Sequence, residues 1–246
     1  MRILLTLSYD GSAYRGWQRQ KNLDTVQGRV EAALKSLYGT DVAVTPGGRT
    51  DKGVHAYAQT AHFDCEKLLP EKNIVSGLNY FLPPDVAVLS ACAVAPDFSA
   101  RRSKQKTYLY DMYFADADFP LLRNRALRIS RNTDAAAMKA AAPLLCGEHD
   151  FKPFRALGSS AKTTVRTVYE CALSDVELCS QKALRLTITA NGFLYKMVRI
   201  VAATLLKIGS GSLTAETLKA LLESGREWNR KTAAPPHGLY LFRIDY

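Results

Sequence analysis

The sequence predicts an α+β fold of two similar sheet-and-helix domains, ferredoxin- or RRM-like halves covering residues 1–104 and 105–246, with a basic cleft between them. Three observations predict it. Stretches that alternate apolar and polar residues mix with stretches of helical period in each half, which is the α+β pattern. The segment DFSARRSKQK (97–106) is polar, basic and without hydrophobic periodicity, so it suits a boundary. The 246 residues, 47% apolar and 23% charged, are enough to bury sizeable cores. The halves share no readable sequence repeat.

The elements follow in order. Ile3, Leu5, Leu7 and Tyr9 alternate with mostly polar neighbours, which predicts a half-buried strand broken at Asp10-Gly11. Val26, Val30, Ala33, Leu34 and Leu37 fall on one face of a helix over 25–38. Asp24 is its expected cap, with Gln27 three residues on and Gly39 at its end. Residues 57–64 alternate as a strand, a helix begins near Pro70, and residues 86–94 form another strand. In the second half, residues 108–114 alternate. An Ala-rich helix is expected over 134–146 with Thr133 as its cap, followed by strands over 164–173 and 184–190. Leu194, Val198, Val201, Leu205 and Ile208 make one stripe of a helix over 193–208, and Thr214 opens a last helix.

Charge and composition exclude several classes. The net charge is +10, divided as +3 over residues 1–104 and +7 over 105–246, so both halves are drawn toward polyanions and suit a groove. No apolar run approaches the roughly 20 residues that span a bilayer, and Ile3–Leu7 is too short for a secretory signal core. Five cysteines without a close pair give neither a disulfide framework nor a zinc pattern, and a cytoplasmic protein is expected. His55 and His62 lie seven apart on a presumed strand and point to opposite faces, so they are not expected to share a metal. Phosphate-binding loops GxxxxGK[ST] and GxGxxG and the nucleophile elbow GxSxG are absent.

GGRTDKGVHA (47–56) is the stretch with most chemistry in it. Asp51 followed two residues later by Gly53 fits the polar corner of a tight turn. Taken alone the stretch favours that turn; the alternative is a carboxylate held on a shaped loop, where Gly47 and Gly48 let backbone approach a ligand and Arg49 reaches a phosphate or a base. Basic and aromatic residues interleave in SAYRGWQRQK (12–21) and ARRSKQKTYLY (100–110). That mixture suits either phosphate contact with base stacking or buried aromatics beside solvated bases.

Together these segments resemble the tRNA pseudouridine synthase A family. YDGSAYRGWQRQ (9–20) and TVQGRVEAAL (25–34) resemble its opening, GGRTDKGVHA its catalytic loop, and DFSARRSKQKTYLY its central tyrosine segment. GEHDF (147–151), NGFLYKMVRI (191–200) and PPHGLYL (235–241) continue the match in order over nearly the whole chain.

The resemblance implies conversion of uridine to pseudouridine in the tRNA anticodon stem-loop, without cofactor or metal, by a homodimer whose basic cleft carries the tRNA. It implies Asp51 as the catalytic aspartate, Arg49 as the arginine associated with extruding the target base, Tyr108 as the tyrosine on the uracil, and Arg199 as the partner of the aspartate. These types suit the chemistry. A uracil must leave its stack to be reached. A carboxylate then acts on the sugar as nucleophile or as base. Burial would raise the pKa of Asp51, and a paired Arg199 would favour the ionised form that the reaction needs.

The chain departs from the family pattern in two places. Pro46 and Gly47 stand where Gly and then Ala or Ser are usual, and the Arg101–Tyr108 stretch is one residue shorter. A paralogue with shifted RNA targets and a non-catalytic RNA-binding protein on the same scaffold remain the alternatives.

Overall fold

The computed structural model describes residues 1–67, 69–158, 161–228 and 232–246. Its elements in chain order are β1 (Arg2–Tyr9), α1 (Val26–Tyr38), β2 (Thr45–Pro46), β3 (His55–Asp64), α2 (Glu71–Phe81) and β4 (Val86–Val94). There follow β5 (Gln105–Phe114), β6 (Leu127–Ile129), α3 (Ala135–Ala141), β7 (Gly147–Asp150), β8 (Val165–Leu178) and β9 (Gln181–Ala190). The chain ends with α4 (Met197–Gly209), α5 (Ala215–Ser224) and β10 (Leu239–Asp245). Sheet and helix are mixed throughout, as the α+β reading expects. The chain divides into two compact units, Met1–Lys104 with Tyr240–Tyr246, and Gln105–Leu239.

In the first unit the strands lie in the order β4-β1-β3-β10, and β2 adds to β3. The β1 alternation predicted from sequence is exact in burial: Ile3, Leu5 and Leu7 are fully buried, and their neighbours are partly exposed. Val26, Val30 and Leu34 of α1, with Ile74 and Leu78 of α2, are buried with no exposed surface. Between Leu7 and Tyr9 the β1–β3 register slips by one residue. Leu7 pairs with Gln59, but Tyr9 pairs with Ala56. A bulge of this kind re-aims the side chains beyond it. Ala56 takes the buried place opposite Tyr9, and Tyr57 turns outward.

In the second unit the order is β5-β9-β8-β7, with β6 parallel to β5. β8 and β9 form a long hairpin joined by Cys179 and Ser180, both at positive φ (48° and 62°). Met112 of β5 and Leu184, Leu186 and Ile188 of β9 are fully buried, as are Val201 and Leu205 of α4.

Several boundaries differ from the sequence reading. Thr25, not Asp24, caps α1 by accepting a hydrogen bond from the Gly28 amide. Asp24 is engaged instead by the fork of Arg29, at 2.8 and 2.6 Å. Gly39 ends the helix at φ 75°, as expected. Asp134, not Thr133, caps α3. That helix stops at Ala141 because Pro143 has no amide to donate, and residues 142–145 tighten into a 3₁₀ turn. α4 begins at Met197, four residues after the expected start, because Lys196 takes a left-handed conformation (φ 58°).

Candidate active site

The loop carrying Asp51 is fixed from four directions within the first unit. Thr45 and Pro46 pair with His62 and Ala61 of β3, and the Gly47 amide donates to the Thr60 carbonyl at 2.7 Å. Proline at 46 therefore sits in a short edge strand, and Gly47 makes the next ladder bond. A Cβ on Gly47 would lie 2.5 Å from the Thr60 hydroxyl and 2.8 Å from Ile244 and the Tyr246 hydroxyl. Glycine there is a requirement of the close approach of the C-terminal strand.

The next residues are tied by side chains. The Gln59 amide donates to the Gly48 carbonyl at 2.7 Å. The Thr50 hydroxyl lies 2.8 Å from the Tyr9 hydroxyl in a buried pair, and the Thr50 carbonyl accepts from the Trp17 amide. Burial pushes the Tyr9 hydroxyl up to about 12, against the opposite pull of its hydrogen bonds with Thr50 and Gln59. Behind Asp51 stands Gly16, at φ +96°.

The Asp51 corner itself is a β-turn. Its carbonyl accepts from the Val54 amide at 3.1 Å, and Gly53, the third residue, has φ 78°. A left-handed third residue is the reason for glycine at 53. Asp51 is partly exposed and Arg49 is exposed, so the turn presents both outward while Thr50 anchors it between them. The tight-turn and presented-carboxylate interpretations thus describe one structure.

His55 begins β3 just after the turn and is buried. Its Nδ1 lies 3.0 Å from an Asp10 carboxylate oxygen and within 3.1 Å of the Gly11 amide. His62 is at the other end of the strand, where its Nδ1 accepts from the Ala100 amide. Among the described residues, no group of three or more His, Cys, Asp and Glu could hold a metal. No described helix is long and apolar enough to cross a membrane.

Tyr108 and Arg199 belong to the second unit. Tyr108 is on β5, 8% exposed, with Phe193 edge-on at 5.0 Å between ring centroids. Arg199 is in the first turn of α4, off its apolar stripe and partly exposed. Its Nε donates to the Ala234 carbonyl at 2.7 Å, and its own carbonyl accepts from the Ala234 amide. This two-way tie holds the segment before His237 against the helix start. The Tyr110 hydroxyl donates to Pro235 in the same segment. Burial, with Arg199 beside it, pushes the His237 pKa down. A Cβ on Gly238 would meet the Asp111 carbonyl oxygen at 2.8 Å.

The structure places Asp51 and Arg49 on one loop of the first unit, and Tyr108 on β5 and Arg199 on α4 of the other unit. In SAYRGWQRQK the aromatics prove to be core. Tyr14 and Trp17 are 2% and 0% exposed, and the Tyr14 hydroxyl donates to Asp85. Their position in the hydrophobic alternation gave no warning, because the segment is a 3₁₀ turn and loop. Sequence reasoning also missed the scaffold of the turn, namely Gln59 on the following strand and Tyr9 and Gly16, which are far from Asp51 along the chain.

Residues 6–101 and 141–246 match the family model described as tRNA pseudouridine synthase. The chain belongs to the tRNA pseudouridine synthase A family, a family of isomerases. It is 42% identical over 245 residues to the tRNA pseudouridine synthase A of Caldicellulosiruptor bescii, covering 99% of each chain. It is 42% identical over 247 residues to the protein of that name from Neisseria gonorrhoeae, covering all of this chain and 92% of the other. The relative from Acetivibrio thermocellus is 39% identical over 99% of each chain.

Proposed function

We propose that the protein isomerises uridine to pseudouridine in the anticodon stem-loop of tRNA, with Asp51 as its catalytic carboxylate. Family membership across nearly the whole chain carries this reading. The anchored turn supports it, because it holds a partly exposed carboxylate on a rigid support.

Arg49 assists in drawing the target uridine from its stack, and Tyr108 packs on the uracil once it is out. Asp51 then acts on the ribose, as nucleophile toward C1′ or as the base that assists elimination. The carbon–nitrogen glycosidic bond breaks, the base turns, and it rejoins the sugar through C5. Arg199 pairs with the carboxylate and favours its ionised form. The protein works as a cytoplasmic homodimer, and its basic surplus draws the tRNA to it.

The decisive experiment is pseudouridine mapping on unmodified tRNA with wild-type, Asp51→Asn and Asp51→Ala proteins. Wild type is expected to modify anticodon-arm uridines, and both variants are expected to form none. Undiminished formation by either variant would remove Asp51 from the mechanism. Modification confined to other arms of the tRNA would overturn the assignment of target.

A further inference from the structure

Lys106 lies two residues before Tyr108 on β5. Alternation along an extended strand puts both side chains on one face, about 7 Å apart along it. Lys106 pairs with Ala190 of β9, and Tyr108 with Ile188. The residue facing Lys106 across the ladder is therefore a methyl group that offers it nothing polar. The same face continues into Tyr110 and Met112, which are fully buried.

The lysine is half-buried, and desolvation lowers its pKa with no carboxylate opposing the shift. Among the described residues its ammonium makes neither a hydrogen bond nor an ion pair. Lys139, also partly buried, shows the usual arrangement, with its ammonium on Asp175. A cation held out of water without a counter-charge is costly, and such a cost is tolerated where an anion arrives during function.

We propose that Lys106 is a catalytic residue that contacts the target uracil on Tyr108 and holds it as an anion while it is detached from the sugar. The inference rests on the function proposed above. When the C1′–N1 bond breaks, its electron pair goes to the base, and the charge is shared by N1, O2 and O4. The ribose is meanwhile taken up by the Asp51 carboxylate or gives it a proton. The C1′–C5 bond then forms as the bond between C1′ and the Asp51 carboxylate breaks, or as Asp51 returns its proton to C2′; C5 then loses its proton and N1 gains one. Nothing is consumed.

An ammonium aimed at O2 or O4 makes a charge-assisted hydrogen bond that strengthens as the base becomes anionic, so it favours the rearrangement over simple binding. The base must also turn. An ammonium with three rotatable donors on a flexible stem can follow it, which a planar guanidinium does less well.

The test uses Lys106→Gln and Lys106→Arg in single-turnover reactions at saturating enzyme on unmodified tRNA, with tRNA affinity measured across a salt series. The Lys106→Gln rate is expected to fall roughly 100-fold, as for loss of one donor to developing charge. Its affinity and salt slope should stay those of wild type, and Lys106→Arg should recover part of the rate. A Lys106→Gln protein with wild-type rate overturns the proposal. So does a salt slope lowered by about one with the saturated rate kept, which marks a phosphate contact. Equal loss in both variants with a lowered melting temperature overturns it as well, because the role is then structural. Wild-type protein that forms no pseudouridine overturns the proposed function and this inference together. Active wild type beside an equally active Lys106→Gln overturns this inference alone.

Discussion

A Cβ on Gly16 would stand 2.7 Å from the Thr50 carbonyl oxygen and 3.1 Å from backbone atoms of Asp51 and Lys52. These are backbone neighbours with no rotamer in which to retreat, and the φ of +96° is itself unfavourable for any side chain. Gly16→Ala should therefore lower stability by about 1–3 kcal/mol and also displace the Asp51 turn, so pseudouridine formation should fall more than thermal stability alone explains. Gly39→Ala is the control. Its φ of 75° carries the same backbone penalty, but nothing lies within 4 Å of the added Cβ. It should destabilise by about 1 kcal/mol and leave turnover at temperatures below melting unchanged. Equal activity in the two variants would show that the turn does not depend on Gly16. The contrast also separates what sequence could disclose from what it could not. Asp51, Arg49 and the glycine at 53 were legible because turn chemistry is local. Gly16 was not, because its role is a backbone contact made 34 or more residues away along the chain.

At the scale of elements, hydrophobic period located α1 to α5 and the longer strands β1, β3, β4, β5, β8 and β9 but not β2, β6, β7 or β10, while the helix starts depended on which of two adjacent polar residues satisfied the orphan amides. Thr25 and Asp24 are the clearest case. Thr25 is extended, buried and bonded to the Gly28 amide, whereas Asp24 lies outside the helix and is partnered with Arg29 at the surface. Thr25→Ala should cost about 1 kcal/mol, the usual worth of a helix cap. Asp24→Ala should cost less, because exposed ion pairs contribute from about 0 to 1 kcal/mol. Urea denaturation of the two variants checks the order, and a larger loss at Asp24 would reverse the cap assignment. The β8–β9 hairpin offers the converse test. Cys179 and Ser180 both occupy left-handed conformations, which a two-residue primed turn demands and Asn-Gly satisfies best. Replacing the pair with Asn-Gly should raise stability by about 1 kcal/mol. The turn was not legible because neither Cys179 nor Ser180 is a residue that favours the left-handed conformation. The closing strand β10 was hidden for another reason: it pairs with β3, almost two hundred residues earlier in the chain.

For the whole molecule, the pH dependence of stability follows from histidines in both units. His62 is pushed below the ordinary 6.5 by burial first, then by Arg2 and Arg101, with Asp64 opposing. Its Nδ1 accepts the Ala100 amide, a bond that requires the nitrogen to be unprotonated. His237 is pushed down by burial and by Arg199. Both groups thus bind a proton less readily folded than unfolded. Between the folded pKa values and about 6.5, the unfolded chain holds more protons, so stability rises with pH through that window and is lost as pH falls through it. The carboxylates act elsewhere. Asp24 and Asp64 are held below their ordinary 3.8, chiefly by hydrogen bonds from Arg29 and Arg2, so their contribution persists at mild acidity and fades only below about pH 4. Two separate declines are therefore expected on acidification, with a plateau between them. Urea midpoints measured from pH 8 to pH 3 would display both. His62→Gln, whose side-chain oxygen can still accept from Ala100, should flatten the upper decline and leave the lower one in place. An upper decline of unchanged size in that variant and in His237→Gln would show that these two rings are not its source.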